Sequence, residues 1–261
     1  MAPVWSVPSV TRRAWKVWYR NLVVFFRTWK VNFFPPLIEA FLYLFAIGVG
    51  IGTYVREIEG IPYINFIAPS ILAISVMNSA FFECTYGSYV RMYYQKSFDA
   101  MIATPLSIED VIAGELLWGA TRSVLYITIM LPVLAVFGVI AFPLSLMAIP
   151  LAFLAGLMFA GIAMCFTAVT PGIDTLNYPS FLLITPMALF SGTFFPLTLL
   201  PEVLQYIALA LLPLTHLVAL MRMITLPALT GLLMLHLAWI ILVTAIFCII
   251  AINLMKRRLI V

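Results

Sequence analysis

Between residues 31 and 254 the chain is a succession of apolar runs of bilayer length, joined by links too short to fold by themselves. A helix needs about 20 consecutive apolar residues to cross the hydrocarbon core. Six runs suit that requirement: residues 31–52, 61–82, 116–139, 142–169, 178–195 and 229–254. They are continuously apolar and do not alternate, which excludes a β-barrel. Composition agrees, with 64% apolar and 9% charged residues against roughly 25% charged in a soluble domain. The expected fold is an all-α membrane protein with six transmembrane helices, one transmembrane domain over residues 1–261. No sizeable soluble catalytic domain fits in the remainder.

Residues 203–214 are apolar too, but only twelve residues long and bracketed by Pro201 and Pro213. That is too short to cross, so a re-entrant or interfacial half-helix is expected between spans five and six. Spans three and four are joined so tightly at Phe142 and Pro143 that they must form a hairpin. In span one, Gly48, Gly50 and Gly52 offer a small-residue track for close helix approach.

Lys and Arg residues are distributed unevenly across these links. With the amino end inside, the inner segments hold Arg12, Arg13, Lys16, Arg20, Arg27, Lys30, Arg91, Lys96, Lys256, Arg257 and Arg258, and the outer ones only Arg56 and Arg222. This asymmetry predicts both termini in the cytoplasm. The net charge of +4 and pI of 9.0 thus fit a membrane surface, and no nucleic-acid partner is expected. The first thirty residues lack an apolar core beside a small-residue cleavage site, so the amino end is expected to be retained. Within it, Trp15, Trp18, Leu22, Phe25 and Trp29 recur at helical spacing, with Arg13, Lys16, Arg20 and Arg27 on the opposite side. This pattern predicts an amphipathic helix over residues 12–30 lying on the membrane, aromatics at headgroup depth and cations among lipid phosphates. A helix packed on a partner is the competing reading.

Catalytic motifs are missing. There is no phosphate-cradling G-x-x-x-x-G-K-[ST], no H-E-x-x-H and no G-x-S-x-G. His216 and His236 fall on different elements, His236 reading as a helix-packing residue and His216 as outward-facing, at a gate or a headgroup. Cys84, Cys165 and Cys248 lie in or beside apolar runs, without disulfide or metal-ligand spacing, and read as packing residues. Metal, catalytic and cofactor sites are therefore not expected on this chain.

Four ionisable residues fall at membrane depth, where isolated charge is expensive. Glu39 lies in span one, Glu83 closes span two, Glu115 opens span three and Arg122 sits two turns further on. A polar clamp is expected, with Arg122 paired to Glu115 or Glu39; contact with cargo or a proton relay is the alternative. Spans four to six hold no carboxylate, which weakens an ion-coupled carrier.

Two segments carry more than membrane logic. In the inner connection, residues 83–115, Phe98, Met101 and Ile102 share one face of a short helix flanked by Lys96 and Asp99, and Thr104-Pro105 stops it. Ser107 and Asp110 then suit a capping box for the next helix. Such a rigid helix is either an interfacial element or a knob that enters a cytoplasmic partner. In residues 191–222, Gly192, Pro196, Pro201 and Pro213 break the backbone repeatedly at outer-leaflet depth, where freed polar groups must be buried in protein or line a wet cavity. Phe194 and Phe195 would close an exit path there, or anchor at the interface.

The order of amphipathic helix, six spans, T-P-L-S after span two and S-G-x-x-F-P…L-P…L-P-L-T-H between spans five and six resembles the membrane subunit of type-2 ABC exporters over essentially the whole chain. The stretch FDAMIATPLSIEDVIAGE and the TPGID of residues 170–174 are most similar to nodulation-factor (lipo-chitooligosaccharide) and lipooligosaccharide export permeases. The resemblance implies a homodimer docked on two cytoplasmic ABC ATPase subunits, which bind ATP and Mg. It implies a coupling helix at Phe98, Asp99, Met101 and Ile102, ending at Thr104 and Pro105. It also implies outer half-helices over residues 196–217 that shape an extracytoplasmic gate, with Gly192, Phe194, Phe195, Pro196, Pro201, Pro213 and His216 as its gate residues, and a path between the two copies lined by spans one, two and five. The cargo implied is amphipathic, lipid-linked or a glycolipid, exported across the inner membrane. A hydrophobic drug efflux permease is the alternative within the family, and an ATP-independent ion-coupled carrier or an intramembrane enzyme the alternative outside it.

Overall fold

The structure is a computed structural model that describes residues 8–58, 60–141, 143–226 and 232–259. It is helical apart from a two-residue antiparallel ladder, Glu57–Ile58 (β1) with Ile61–Pro62 (β2). Among the described residues, five helical stretches are long and apolar enough to cross a membrane: Trp29–Thr53, Tyr63–Tyr94, Ile108–Val136, Leu144–Val169 and Leu233–Leu259. The count becomes six if the pair Glu202–Leu211 and Pro213–Thr225, bent by 88°, is one broken span.

Chain order begins with α1 (Ala14–Arg27), α2 (Trp29–Phe45), α3 (Tyr63–Phe82), α4 (Ser97–Ile102), α5 (Ile108–Val136) and α6 (Ala148–Val169). Then come α7 (Asn177–Pro179), α8 (Thr185–Phe190), α9 (Glu202–Leu211), α10 (Pro213–Thr225) and α11 (Leu233–Leu259). Helix α6 is apolar on all sides and packs against α3, α5 and α11, as such a helix must. Small residues set the approach. A β-carbon on Gly119 would stand 2.6 Å from Cys84 Sγ, one on Gly156 2.7 Å from Ser123 Oγ, and one on Gly161 3.2 Å from the backbone of Phe247 and Cys248. The expected track in span one reduces to Gly48, where a β-carbon would meet Ile64 Cδ1 at 2.6 Å; Gly50 faces open space and Gly52 its own turn.

Several expected boundaries move. The second span does not close at Phe82: π-helical turns at Glu83–Gly87 and Val90–Tyr94 carry it to Tyr94. The third begins at Ile108 in place of residue 116. The inner connection shrinks to residues 95–107, because the charges that look like a loop neutralise one another between helices. The expected fifth span, residues 178–195, ends at Phe190; residues 173–190 form a helical run of changing pitch, from a 3-10 turn at Ile173–Leu176 through a π turn at Ser180–Ile184. Gly192 adopts a left-handed φ of 72° and stops it. Phe142 of the hairpin, Glu59 of the first outer link and the start of the sixth span, residues 229–231, lie outside the described residues; the final helix runs past residue 254 to Leu259.

Helix α1 docks on α5 through Ala14, Val17, Asn21 and Phe25, a face cut across the expected aromatic and basic sides. Gly114 permits it, since a β-carbon there would stand 2.5 Å from Val17 Cβ. Trp18 Nε1 donates to Thr121 Oγ1 at 2.7 Å, while Trp15 stacks on Trp18 at 4.0 Å and remains exposed. Trp29 opens α2 and does not belong to α1.

Candidate functional site: a charge clamp, a short rigid helix and a broken segment

At one end of the bundle the chain start, the α5 start and the α11 end are tied together. Ser9 donates to Glu109 from its backbone at 3.1 Å and its hydroxyl at 2.6 Å, and Lys256 Nζ lies 2.7 Å from the same carboxylate. Thr11 donates to Asp110 from its backbone N–H at 2.6 Å and its hydroxyl at 2.9 Å. Arg13 donates to the carbonyl of Pro105, and Arg258 to that of Thr167.

The four expected clamp residues split. Glu115, fully buried, accepts from Arg91 Nη2 at 2.6 Å and Nε at 3.0 Å, Asn21 Nδ2 at 2.9 Å and Ser88 Oγ at 3.0 Å. Glu83 accepts from Arg91 Nη1 and Trp118 Nε1, each at 2.8 Å, and faces Arg122 Nε at 3.5 Å. Arg122 donates to Asn32 Oδ1 at 2.8 Å. Its ion-pair partner is thus Glu83, neither Glu115 nor Glu39, and the arginine of Glu115 is Arg91, which was expected in an inner link. Glu39 stands apart and accepts from Ser75 Oγ at 2.8 Å. Arg20 turns from the expected lipid phosphates into this cluster, donating to Asn21 Oδ1 at 2.8 Å with Nη2 at 3.8 Å from Glu115. Burial pulls its pKa below the ordinary arginine value while the Glu115 carboxylate opposes that pull. Removing one partner of a buried ion pair costs about 3–5 kcal/mol, so these groups hold α1, α2, α3 and α5 in register.

Helix α4 is fixed at both ends. Lys96 takes a left-handed φ of 52° just before it. Ser107 Oγ accepts from Asp110 N at 3.1 Å and Asp110 Oδ2 from Ser107 N at 3.4 Å, a complete capping box on α5, worth about 1 kcal/mol. Phe98 is fully buried in the chain's own core, with Met101 and Ile102 packed against it partly covered. Phe98 therefore anchors the helix and offers no surface to a partner. The outward positions are Asp99, Ala100, Ala103, Thr104 and Pro105, with Thr104 Oγ1 donating to Met101 O at 2.6 Å.

At the other end, the turn at residues 191–195 is pinned by Arg222 of α10. Its Nη2 donates to Gly192 O at 2.6 Å and Ser70 Oγ at 2.9 Å, its Nε to Phe66 O at 3.3 Å, and its guanidinium sits 3.8 Å above the Phe66 ring. Tyr63 donates to Phe194 O at 3.2 Å. Carbonyls freed by the helix break are thereby satisfied, as burial in lipid demands. Phe194 and Phe195 are half-buried, Pro196 and Pro213 buried and Pro201 exposed. Pro201 precedes α9 and Pro213 opens α10, as their missing N–H groups favour. His216 does not face the outer surface: it is buried, its Nδ1 2.8 Å from His236 Nδ1, its Nε2 2.8 Å from Leu209 O and its ring stacked on Trp239 at 4.1 Å. The three cysteines are free and at least half-buried. Among the described residues no group of three or more His, Cys, Asp or Glu side chains is placed to hold a metal.

Arg91 and Arg222 are the functional residues that sequence reasoning missed. Both sat in segments assigned to links, and only the helical continuation through 83–94 and the fold of α10 onto α3 reveals them.

Long apolar helices with their buried charges neutralised between them define a multi-pass membrane protein. The chain belongs to the ABC-2 type transporter family, whose profile matches residues 12–226. It is 34% identical over 243 residues to Nodulation protein J of Sinorhizobium fredii, covering 93% of this chain and 92% of that one. It is 32% identical to Nodulation protein J of Neorhizobium galegae, covering 97% of each. The inner membrane transport permease YadH of Escherichia coli is 29% identical, with 72% of this chain and 73% of that one covered. No solved structure matches. As a membrane permease of this family the chain has no ATPase domain, is not itself an enzyme, carries no cofactor of its own and works with an ATPase subunit.

Proposed function

We propose that the chain is the permease of an exporter that moves an amphipathic cargo, lipid-linked or a glycolipid or oligosaccharide, outward across the cytoplasmic membrane. The likeness to the Nodulation protein J chains over more than nine-tenths of both partners supports this reading. The permease is a single transmembrane domain that acts as a homodimer on two copies of the ATPase subunit, where ATP and Mg are bound.

In this reading the chain crosses six times with both termini in the cytoplasm, the run 173–190 being the fifth crossing and α9 with α10 remaining at the outer end. The meeting of Ser9, Glu109 and Lys256 supports both termini lying on one side. The cations Arg12, Arg13, Lys16, Arg257 and Arg258 near the two termini support that side being the inner one. Closure of the ATPases pushes on the outward face of α4, which Phe98 locks to the bundle, and the displacement reaches the Arg222-pinned outer segment through α3. Co-reconstitution with the ATPase in proteoliposomes tests this: a labelled acylated oligosaccharide should cross only with ATP and both subunits. Uphill movement by the permease alone would overturn the reading.

A further inference from the structure

Among the described residues only four buried polar side-chain atoms lack a hydrogen bond, and two of them are the Nε atoms of Arg20 and Arg122. Both arginines line one cavity of about 370 Å³ at the corner between α1 and α2. A buried N–H without an acceptor forfeits its hydration with nothing in return, more so on a charged group, so native folds rarely keep two together. Each guanidinium makes one short hydrogen bond, Arg20 Nη2 to Asn21 Oδ1 and Arg122 Nη1 to Asn32 Oδ1, both at 2.8 Å and both to a neutral amide; their other contacts are longer. Arg20 meets the thioether of Met101 at 3.7 Å and Glu115 at 3.8 Å; Arg122 meets Glu83 at 3.5 Å and lies 5.4 and 5.6 Å from the rings of Phe25 and Tyr126.

The third arginine lining the cavity, Arg91, is saturated by Glu83 and Glu115. Three guanidiniums thus surround two carboxylates, leaving one positive charge; Glu39, which shares a separate cavity with Arg122, accepts its hydrogen bond from Ser75. On the other side of Phe25 lies a second cavity of about 390 Å³, almost wholly apolar, lined by Phe26, Trp29, Phe33, Leu125 and Ile129. A cationic polar space beside an apolar one, sharing Phe25 as the wall between them, matches a phosphate joined to an acyl chain.

We propose that this corner binds one anionic phospholipid of the inner leaflet. Arg20 and Arg122 hold the phosphate through charge-assisted hydrogen bonds, and an acyl chain passes over Phe25 into the apolar cavity. The lipid thereby fastens α1 to α2 and α5. A free phosphate would use the same guanidiniums but leave the apolar cavity without a role, which favours the lipid. The inference rests on the inner-surface placement of α1 and is independent of the cargo, so its test reads lipid and not transport.

The detergent-purified permease–ATPase complex, offered equal amounts of phosphatidylglycerol and phosphatidylcholine, should retain phosphatidylglycerol about tenfold better by native mass spectrometry, as a basic pocket between helices requires. The double variant Arg20→Gln with Arg122→Gln should abolish that preference, whereas Arg27→Gln, exposed on the same helix, should keep it. Ile129→Trp, which fills the apolar cavity and leaves every charge in place, should lower phosphatidylglycerol retention as well, and serves if the double variant folds poorly. Equal retention of the two lipids, or retention unaffected by Ile129→Trp, would overturn the proposal. So would thermal stabilisation by inorganic phosphate equal to that by phosphatidylglycerol, which would make the corner a free-anion site.

Discussion

Arg222 of α10 donates to the carbonyl of Gly192 at 2.6 Å while its guanidinium rests 3.8 Å above the ring of Phe66 in α3. One side chain thereby joins the broken segment at residues 191–195 to the second long helix, supplying several donors in a planar fork that an ammonium group cannot reproduce.

Arg222→Leu should lower stability by about 2–4 kcal/mol, since buried carbonyls and the Ser70 hydroxyl lose a charged donor. Arg222→Lys should recover only part of it. Thermal unfolding of the purified permease in detergent measures both; a wild-type melting temperature for the leucine variant would show that Arg222 pins nothing.

Gly192→Ala should destabilise by about 1–2 kcal/mol through its left-handed backbone alone. A β-carbon would also stand 2.9 Å from Leu197 Cγ. Adding Leu197→Ala relieves that clash but not the backbone term, so the double variant should remain less stable than Leu197→Ala by itself. Equal melting of those two would remove the conformational argument.

Arg91→Met and Glu115→Leu should each reduce folded yield, by about 3–5 kcal/mol in stability, because each leaves an uncompensated buried charge. The double variant should lose less than the two losses added together, as expected of directly paired groups. Strict additivity in chemical denaturation would argue that the two residues act separately.

Phe98 and Asp99, adjacent on α4, should separate cleanly. Phe98→Ala empties a core site and should cost about 3–5 kcal/mol in stability. Asp99→Arg reverses an exposed charge and should leave melting unchanged while weakening capture of the ATPase subunit or uncoupling hydrolysis from export. If Asp99→Arg retains full ATPase affinity and coupled transport, the outward face of α4 is not the contact.

Much of the architecture was legible because lipid imposes a length rule that composition exposes directly. The apolar runs located the long helices, and Thr104-Pro105, Ser107 with Asp110, Pro201 and Pro213 marked helix ends through local backbone chemistry. The span boundaries at 82 and 116 are misplaced because Glu83, Arg91 and Glu115 each read as polar interruptions; hydropathy scores residues singly and does not register that Arg91 and Arg122 neutralise the two carboxylates once helices meet.

The same limit explains the site. Sequence alone determined the membrane class and which residue types sit at membrane depth, since those follow from local composition and spacing. Only the tertiary structure decided which arginine meets which carboxylate, that Phe98 turns inward and that His216 meets His236, because pairing across helices depends on rotation and depth that no single segment encodes.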